Sequence, residues 1–391
     1  MKWEKVRLGK FITLKKGFAF KSSKYVASGV PIVRVSNFTN DSISNDDLKY
    51  YPLEEKVNFG EFELCEKDVI IQTVGSWQNN PASVVGKVVR VPYYLNGALL
   101  NQNAVKLIPK NSIDNNYLFY RLKTDAFKGH VLGEARGAAN QASITLDTIK
   151  SFEFLIPDKK KQIKIGNILS SYDELIENNQ KQIKLLEEAA QRLYKEWFVN
   201  LRFPGYENAP IIDGVPEGWS FQKIGKVFEI KYGKTLSMNN ILNKGKYPVY
   251  GANGVIGYYN QKNCDDYVVL VTSRGNGSGE VLRTHDKESF ITNNSFIIKP
   301  IKNFIKVPFI YQMLKTVDFK RICTGSAQPQ LTNVSINLID ILVPSDEIIK
   351  RFCQDSQFYY NKIENLLKQN KNLTEARERL LPKLMDDELE V

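Results

Sequence analysis

The sequence predicts an α/β protein of the α+β kind: two β-rich globular units joined and separated by two long antiparallel helices, as a pseudo-two-fold internal repeat. Three observations predict it. The second half of the chain copies the pattern of the first, each copy opens on short alternating runs punctuated by Gly and Asn, and each closes on a long stretch with apolar residues at helical spacing.

The repeat is read in five places. Trp3, Leu8 and Gly9 match Trp219, Ile224 and Gly225, and Gly17 matches Gly233, each pair 216 residues apart. Asp68-Val69-Ile70 resembles Asp266-Tyr267-Val268, and the run ending at Pro109 resembles the run ending at Pro300, now 191 apart. The run ending at Thr124 matches the run ending at Thr316, and Ile149, Phe152, Phe154 and Pro157 match Ile336, Ile339, Ile341 and Pro344 at a constant 187. The shrinking offset assigns extra loop to the first copy. Within each copy, runs such as Pro31 to Val35 and Val268 to Thr272 alternate as strands do, bounded by turn residues. The expected segments are residues 1–157 (globular), 158–201 (helix), 202–344 (linker and globular) and 345–391 (helix).

The helices follow from the 3.5-residue spacing. In the first, Ile165, Tyr172, Leu186 and Leu193 fall in one heptad row, with Asn179 between them and Ile168, Leu175 and Ala189 in the companion row. In the second, Phe352, Tyr359, Leu366, Leu373 and Leu380 form the same row, and no proline intervenes before Pro382. The polar residues Asp355, Lys362 and Gln369 occupy its companion row and, with Asn179, read as register-setting or partner-facing choices. A helix of roughly 40 residues is about 60 Å long, more than one small domain buries, so the two helices are expected to pack on each other.

Composition bounds the function. With 54 Lys and Arg against 43 Asp and Glu, the formal charge of +11 favours a polyanionic partner. No apolar run reaches the roughly 20 residues of a membrane span, and the start lacks a signal-peptide core, so a cytoplasmic protein without a membrane partner is expected. Cys65, Cys264, Cys323 and Cys353 are scattered and read as reduced core residues, and with only His130 and His285 no metal site is drawn. Catalytic patterns are missing too. Asn80-Pro81-Ala82-Ser83 fails the Asn/Asp-Pro-Pro-aromatic pattern of an adenine methyltransferase, and Gly275-Asn276-Gly277-Ser278-Gly279 lacks a phosphate lysine and reads as a turn between strands. The histidines read as surface or turn residues.

The junction Leu193-Tyr194-Lys195-Glu196-Trp197-Phe198-Val199-Asn200-Leu201-Arg202-Phe203-Pro204, then Val215-Pro216-Glu217-Gly218-Trp219, resembles that of the specificity subunit of Type I restriction-modification enzymes. So do Gly251-Ala252-Asn253-Gly254-Val255-Ile256-Gly257-Tyr258 and the closing run from Thr324 to Leu331. The first copy departs, with Gly137-Ala138-Ala139-Asn140-Gln141 as its closing turn and no counterpart of Gly251–Gly254. The resemblance covers essentially the whole chain. It implies two target-recognition domains on two spacer helices, a non-catalytic subunit reading a bipartite, asymmetric site in double-stranded DNA. It also implies two methylation subunits and, in the full complex, restriction subunits as partners. S-adenosylmethionine, ATP and magnesium then belong to those partners and none to this chain. The rival readings are a tandem-repeat DNA-binding regulator without enzyme partners and a diverged methyltransferase or nuclease.

Candidate DNA contacts are sought in polar, glycine-bearing loops, where the backbone approaches phosphates and Arg, Asn and Gln reach base edges. In the first domain these are Lys21, Arg34, Trp77, Gln78, Asn79 and Arg136; in the second, Lys234, Asn253, Arg274, Asn276 and Gln328. Each has the alternative of a satisfied turn residue or a solvated charge. Lys15-Lys16 and Lys159-Lys160-Lys161 are read as phosphate-positioning or solvated, and Tyr93-Tyr94 and Tyr258-Tyr259 as strand residues with one ring buried.

Overall fold

A computed structural model describes residues 3–77, 83–138, 141–275, 277–325 and 329–390. The chain folds as two compact units, Met1–Glu177 with Lys371–Val391, and Asn178–Asn370. Each unit holds one β-rich domain and a stretch of both long helices, which run over Lys159–Tyr194 and Asp346–Met385.

The domain of the first unit is organised around an antiparallel four-stranded sheet, in the order Ile12–Lys16, Ala104–Pro109, Val69–Gln72, Val88–Arg90. A three-stranded sheet sets Val30–Val33 between Lys49–Tyr51 and Leu99–Leu100, the last pairing being parallel. Glu4–Arg7 returns against Glu153–Ile156. The second unit repeats all three sheets. Its four-stranded sheet runs Phe228–Tyr232, Ser295–Pro300, Val269–Thr272, Val281–Arg283, its three-stranded sheet sets Tyr247–Gly251 between Gly254–Tyr259 and Phe290–Ile291, and Ser220–Lys223 pairs with Asp340–Val343.

The register corrects one alignment. Val69 faces Leu107 and Val269 faces Ile298, so Asp68-Val69-Ile70 corresponds to Val268-Val269-Leu270 and not to Asp266-Tyr267-Val268. The slip is two residues, which keeps inward and outward side chains in phase, so alternation carries no trace of it.

Each long helix starts where its capping chemistry is written. The Asp158 carboxylate accepts from the Lys161 backbone N–H at 3.0 Å, just after Pro157, and Asp346 and Glu347 fill the first turn of the second helix after Pro344. The first helix ends in a wider turn over Lys195–Val199, where Trp197 and Phe198 are buried, and Leu201 then takes a left-handed conformation ahead of Pro204.

In both units the two helix stretches pack antiparallel. In the first, Lys161 pairs with Asp387 and Asp173 with Arg377; in the second, Asn179 meets Asn370 and Tyr194 meets Phe352. The row Ile165, Tyr172, Leu186, Leu193 is buried or half-buried, as is Phe352, Tyr359, Leu366, Leu373, Leu380. The companion rows lie one residue later than the heptad reading places them. Leu175 is 51% exposed, whereas Leu169, Ile176, Ile183, Ala190 and Trp197 turn inward, and Asp355 and Lys362 face outward, with Gln369 exposed but accepting from Asn179 Nδ2 at 3.4 Å, while Ser356, Ile363, Asn370, Arg377 and Leu384 take the seam. At 100° per residue, positions three and four beyond a seam residue flank it on opposite sides, and the fourth is the nearer.

Asn179 is the polar layer of this seam. It is 7% exposed and donates through Nδ2 to Asn370 Oδ1 at 2.9 Å. Replacing Asn179 by Leu leaves the Asn370 amide without that partner and is expected to cost about 1–2 kcal/mol. The double variant Asn179→Leu, Asn370→Leu removes both polar groups and is expected to recover most of that loss. Urea midpoints of the three proteins check this.

Candidate nucleic-acid interface

In each domain, hydrogen bonds gather four backbone segments onto one rim beyond the end of the four-stranded sheet. In the first, the Gly17 N–H donates to the Ala104 carbonyl at 3.0 Å, the Thr73 N–H to the Asn103 carbonyl at 2.9 Å and the Ile144 N–H to the Thr73 carbonyl at 3.0 Å. In the second, Gly233 donates to Ser295 at 3.1 Å, Ser273 to Asn294 at 2.8 Å and Leu331 to Ser273 at 2.9 Å. Glycine is required at the first of these crossings: a Cβ on Gly17 would lie 2.0 Å from the Asn101 carbonyl oxygen, and one on Gly233 2.2 Å from that of Thr292. In the first domain the rim borders an open cleft of about 700 Å³, lined by Lys16, Phe18, Gln102, Asn103 and Ser143 among others.

The candidate residues divide around this rim. In the second domain Lys234 donates its backbone N–H to Ile291 and accepts from Asn293, Arg274 follows Ser273 and bridges to Gln330, and both side chains are exposed. Asn253, also exposed, sits at the turn between Tyr247–Gly251 and Gly254–Tyr259, a turn tied to the sheet by the Thr272 hydroxyl donating to the Ala252 carbonyl at 2.7 Å. In the first domain Trp77 and Arg136 come together. The indole N–H of Trp77 donates to the Ala138 carbonyl at 2.8 Å, fastening the hairpin Arg136–Ala138 and Gln141–Ser143 that also pairs with Val74–Gly75. Arg136 is exposed on it. Lys21 is exposed ahead of the turn Ser22–Lys24. Arg34 is half-buried and already engaged, its Nη2 donating to the Asp47 carbonyl at 2.8 Å and lying 3.2 Å from the Asp47 carboxylate. Gln78, Asn79, Asn276 and Gln328 lie outside the described residues.

The charged runs are less free than their sequence reads. Lys15 pairs with Glu61 and sits 4.7 Å from the Phe62 ring, while Lys161 is buried against Asp387 and the Trp3 ring. Tyr93 and Tyr94 belong to a helical turn, not a strand, and are 51% and 44% exposed. Among the cysteines Cys264 and Cys353 are buried, but Cys65 is exposed. Nor is His285 merely a surface turn residue: its Nδ1 lies 3.3 Å from Glu364 Oε1. Among the described residues no cluster of three or more His, Cys, Asp and Glu is placed to hold a metal ion, and no helix is long and apolar enough to cross a membrane.

What aims each rim is the docking of its domain on the helix stretches of its own unit. Arg90 and Arg283 occupy equivalent strand positions, opposite Val69 and Val269. The Arg90 guanidinium stays within its domain, 4.2 Å from the Phe119 ring of the helix Asn115–Lys123, whereas that of Arg283 reaches the long helix, 4.9 Å from the Tyr360 ring, and pairs with Glu364. Burial opposes ionisation of Glu364, but His285 and Arg283 outweigh it and hold the carboxyl below its ordinary value. One hydrogen bond has exchanged partners between the copies. Tyr120 donates to Asp173 in the first unit, and the residues equivalent to them, Gln312 and Tyr360, bond at 3.1 Å in the second. Burial pushes the phenols of Tyr120 and Tyr360 well above the usual tyrosine range, so both stay protonated as neutral hydrogen-bonding groups.

Two copies of one α+β domain, each seated on stretches of the same two helices, define a duplicated, helix-linked class of protein. The chain belongs to the Type I restriction modification DNA specificity domain family, whose model matches it twice, over residues 1–188 and 216–376. It is similar to the Type I restriction enzyme MjaIX specificity subunit of Methanocaldococcus jannaschii, at 26% identity over 322 residues, 74% of this chain and 73% of that protein. It is also similar to the MjaVIII specificity subunit of the same organism, at 24% identity over all of this chain and 93% of that protein. Among solved structures, the crystal structure of the Type I restriction-modification S subunit from M. genitalium shares the fold. Its TM-score is 0.57 at 20% identity, covering 98% of this chain and 96% of that one.

Proposed function

We propose that this specificity subunit reads a bipartite, asymmetric site in double-stranded DNA without catalysing any reaction, each domain reading one half. It delivers that site to two methylation subunits and, in the full complex, to restriction subunits, all in the cytoplasm. S-adenosylmethionine, ATP and magnesium act on those partners. The observation that carries the reading is that the two domains share one backbone register while their rims carry different side chains, as two unlike half-sites require. Lys21, Arg136, Lys234, Asn253 and Arg274 are the proposed contacts, and Gln78, Asn79, Asn276 and Gln328 are proposed from the sequence alone. Arg34 and Trp77 support the reading as braces of the loops that bear them.

Assembly tests it. Expressed with its methylation subunit, the chain is expected to form a particle of two methylation subunits per chain that binds S-adenosylmethionine, while the isolated chain binds none. Cofactor binding or methyl transfer by the isolated chain would contradict the proposal. A chain that binds DNA yet ignores the methylation subunit would favour a stand-alone regulator.

In this reading the helices set the distance between half-sites. Deleting residues 178–184 together with 365–371 removes one heptad from each helix at matched positions and spares Glu364, shortening the pair by about 10 Å while turning the seam by only about 20°. The unread gap is expected to shrink by about three base pairs, at 3.4 Å per step. Sequencing of the methylated motif checks this, and an unchanged gap would show that the helices are not the ruler.

A further inference from the structure

We infer that the three-residue turn Asn101–Asn103 in the first domain, and its equivalent 292–294 in the second, is the main base-reading element of each half-site. Its side-chain amides meet base edges in the major groove. This rests on the proposal that the domains bind duplex DNA, and it names the residues that discriminate. No motif marks the turn, because Gln and Asn in a loop are unremarkable until the fold shows what holds them.

Three observations carry it. First, both turns are pinned on either side by the same backbone bonds. Phe18 donates to Leu100 at 2.9 Å and Lys234 to Ile291 at 2.9 Å before the turn; Gly17 donates to Ala104 and Gly233 to Ser295 after it. The close approach at Gly17 and Gly233 leaves no room for a Cβ, so the turn is held against the neighbouring strand end. A base-reading group gains most when its backbone is fixed before the DNA arrives. Second, the side-chain amides of Gln102, Asn103, Asn293 and Asn294 make no hydrogen bond among the described residues, and Gln102 is exposed. A carboxamide on a rigid turn is matched to adenine, whose N7 accepts and whose N6 donates.

Third, what surrounds the turn differs between the copies at equivalent positions. Lys16 is replaced by Tyr232, Phe18 by Lys234, Val74 by Arg274 and Ser143 by Gln330. The scaffold repeats and the reading surface does not. Arg274 adds a guanidinium, suited to guanine, beside the amides of the second turn and not of the first.

The test uses the chain assembled with its methylation subunits and maps methylated adenines over a randomised DNA library. Gln102→Ala with Asn103→Ala is expected to lower discrimination at one or two positions of the first half-site by roughly ten- to a hundredfold, leaving the second unchanged. Asn293→Ala with Asn294→Ala does the converse. Gln102→Glu replaces a donor–acceptor pair by acceptors alone, so preference at its position moves from adenine towards cytosine, a change that misfolding cannot produce. If the wild-type assembly reads a split motif and these variants read the same motif with unchanged discrimination, the inference is overturned and the function stands. A wild-type assembly that methylates no split motif overturns the function proposal, and this inference with it.

Discussion

Truncating Phe352 to alanine is expected to destabilise the unit Asn178–Asn370 by about 3–5 kcal/mol, the range for emptying a fully buried aromatic site. Phe352 has no exposed surface, and its ring centroid lies 5.0 Å from that of Phe198, 5.7 Å from those of Tyr194 and Trp197, and 6.1 Å from that of Phe309. These rings come from three places: the end of the first long helix and its exit turn, the start of the second, and the domain helix Val307–Lys315. One side chain thus fastens both helix stretches and the domain together. Phe358, on the same helix but 68% exposed, is the control. Its alanine variant is expected to stay within about 0.5 kcal/mol of the parent. Calorimetry of both variants checks the contrast.

The second large effect is electrostatic. Arg377 directs one guanidinium nitrogen to Asp173 and another to Asp41 at 2.8 Å, while Lys123 reaches Asp41 at 2.6 Å and Tyr120 donates to Asp173. Arg377→Met leaves Asp41 with Lys123 alone and Asp173 with only the Tyr120 hydroxyl, and breaking such a cluster from one side is expected to cost about 3–5 kcal/mol. Lysine is a poor substitute, because one ammonium cannot span two carboxylates as the guanidinium fork does.

Acid titration separates charge from packing here. Burial works against ionisation of Asp41, but Lys123 and Arg377 outweigh it and bring its carboxyl down to about 2. A carboxyl lowered on folding stabilises the fold above its unfolded value near 4, and that contribution drains away as pH falls from about 4 to about 2. The parent's stability is expected to fall through this window by up to about 2 kcal/mol from Asp41 alone. The Arg377→Met variant, already weaker, should fall less. Equal slopes in the two proteins would mean that Arg377 acts through packing alone.

Much of this fold was legible because duplication writes each element twice. The Trp3–Trp219, Gly17–Gly233 and Pro157–Pro344 matches carry the sheet pairings with them, and Pro157 and Pro344 mark where both helices begin. Legibility ended where two placements share one pattern. A two-residue slip at Asp68 keeps the strand alternation, and the heptad row at Ile165 leaves either flank open as its companion. Close inspection of composition favours the true flank, since Leu169, Ile176, Ile183 and Trp197 are more apolar than Ile168, Leu175, Gln182 and Glu196.

The candidate interface was legible in kind and less so in residue. Loop position and side-chain type led to Asn253, Arg274 and Lys234, which the fold gathers around one rim. The same criteria led to Arg34, which Asp47 engages, and to Trp77, whose indole braces a hairpin. Partners supplied by residues distant in the chain decide such cases, and those distances exist only after folding. Gln102 and Asn103 show the converse: nothing local distinguishes an amide held rigidly at a rim from one in an ordinary turn.

In the proposed function, one chain specifies one split DNA motif through two unlike domains. Its most direct test is a map of N6-methyladenine across a genome in which the methylation subunit is expressed with and without this chain. A single asymmetric motif, two defined halves around a fixed unread gap, is expected to be methylated on both strands only when the chain is present. Methylation unchanged by the chain, with the assembled complex confirmed in the same cells, would contradict it.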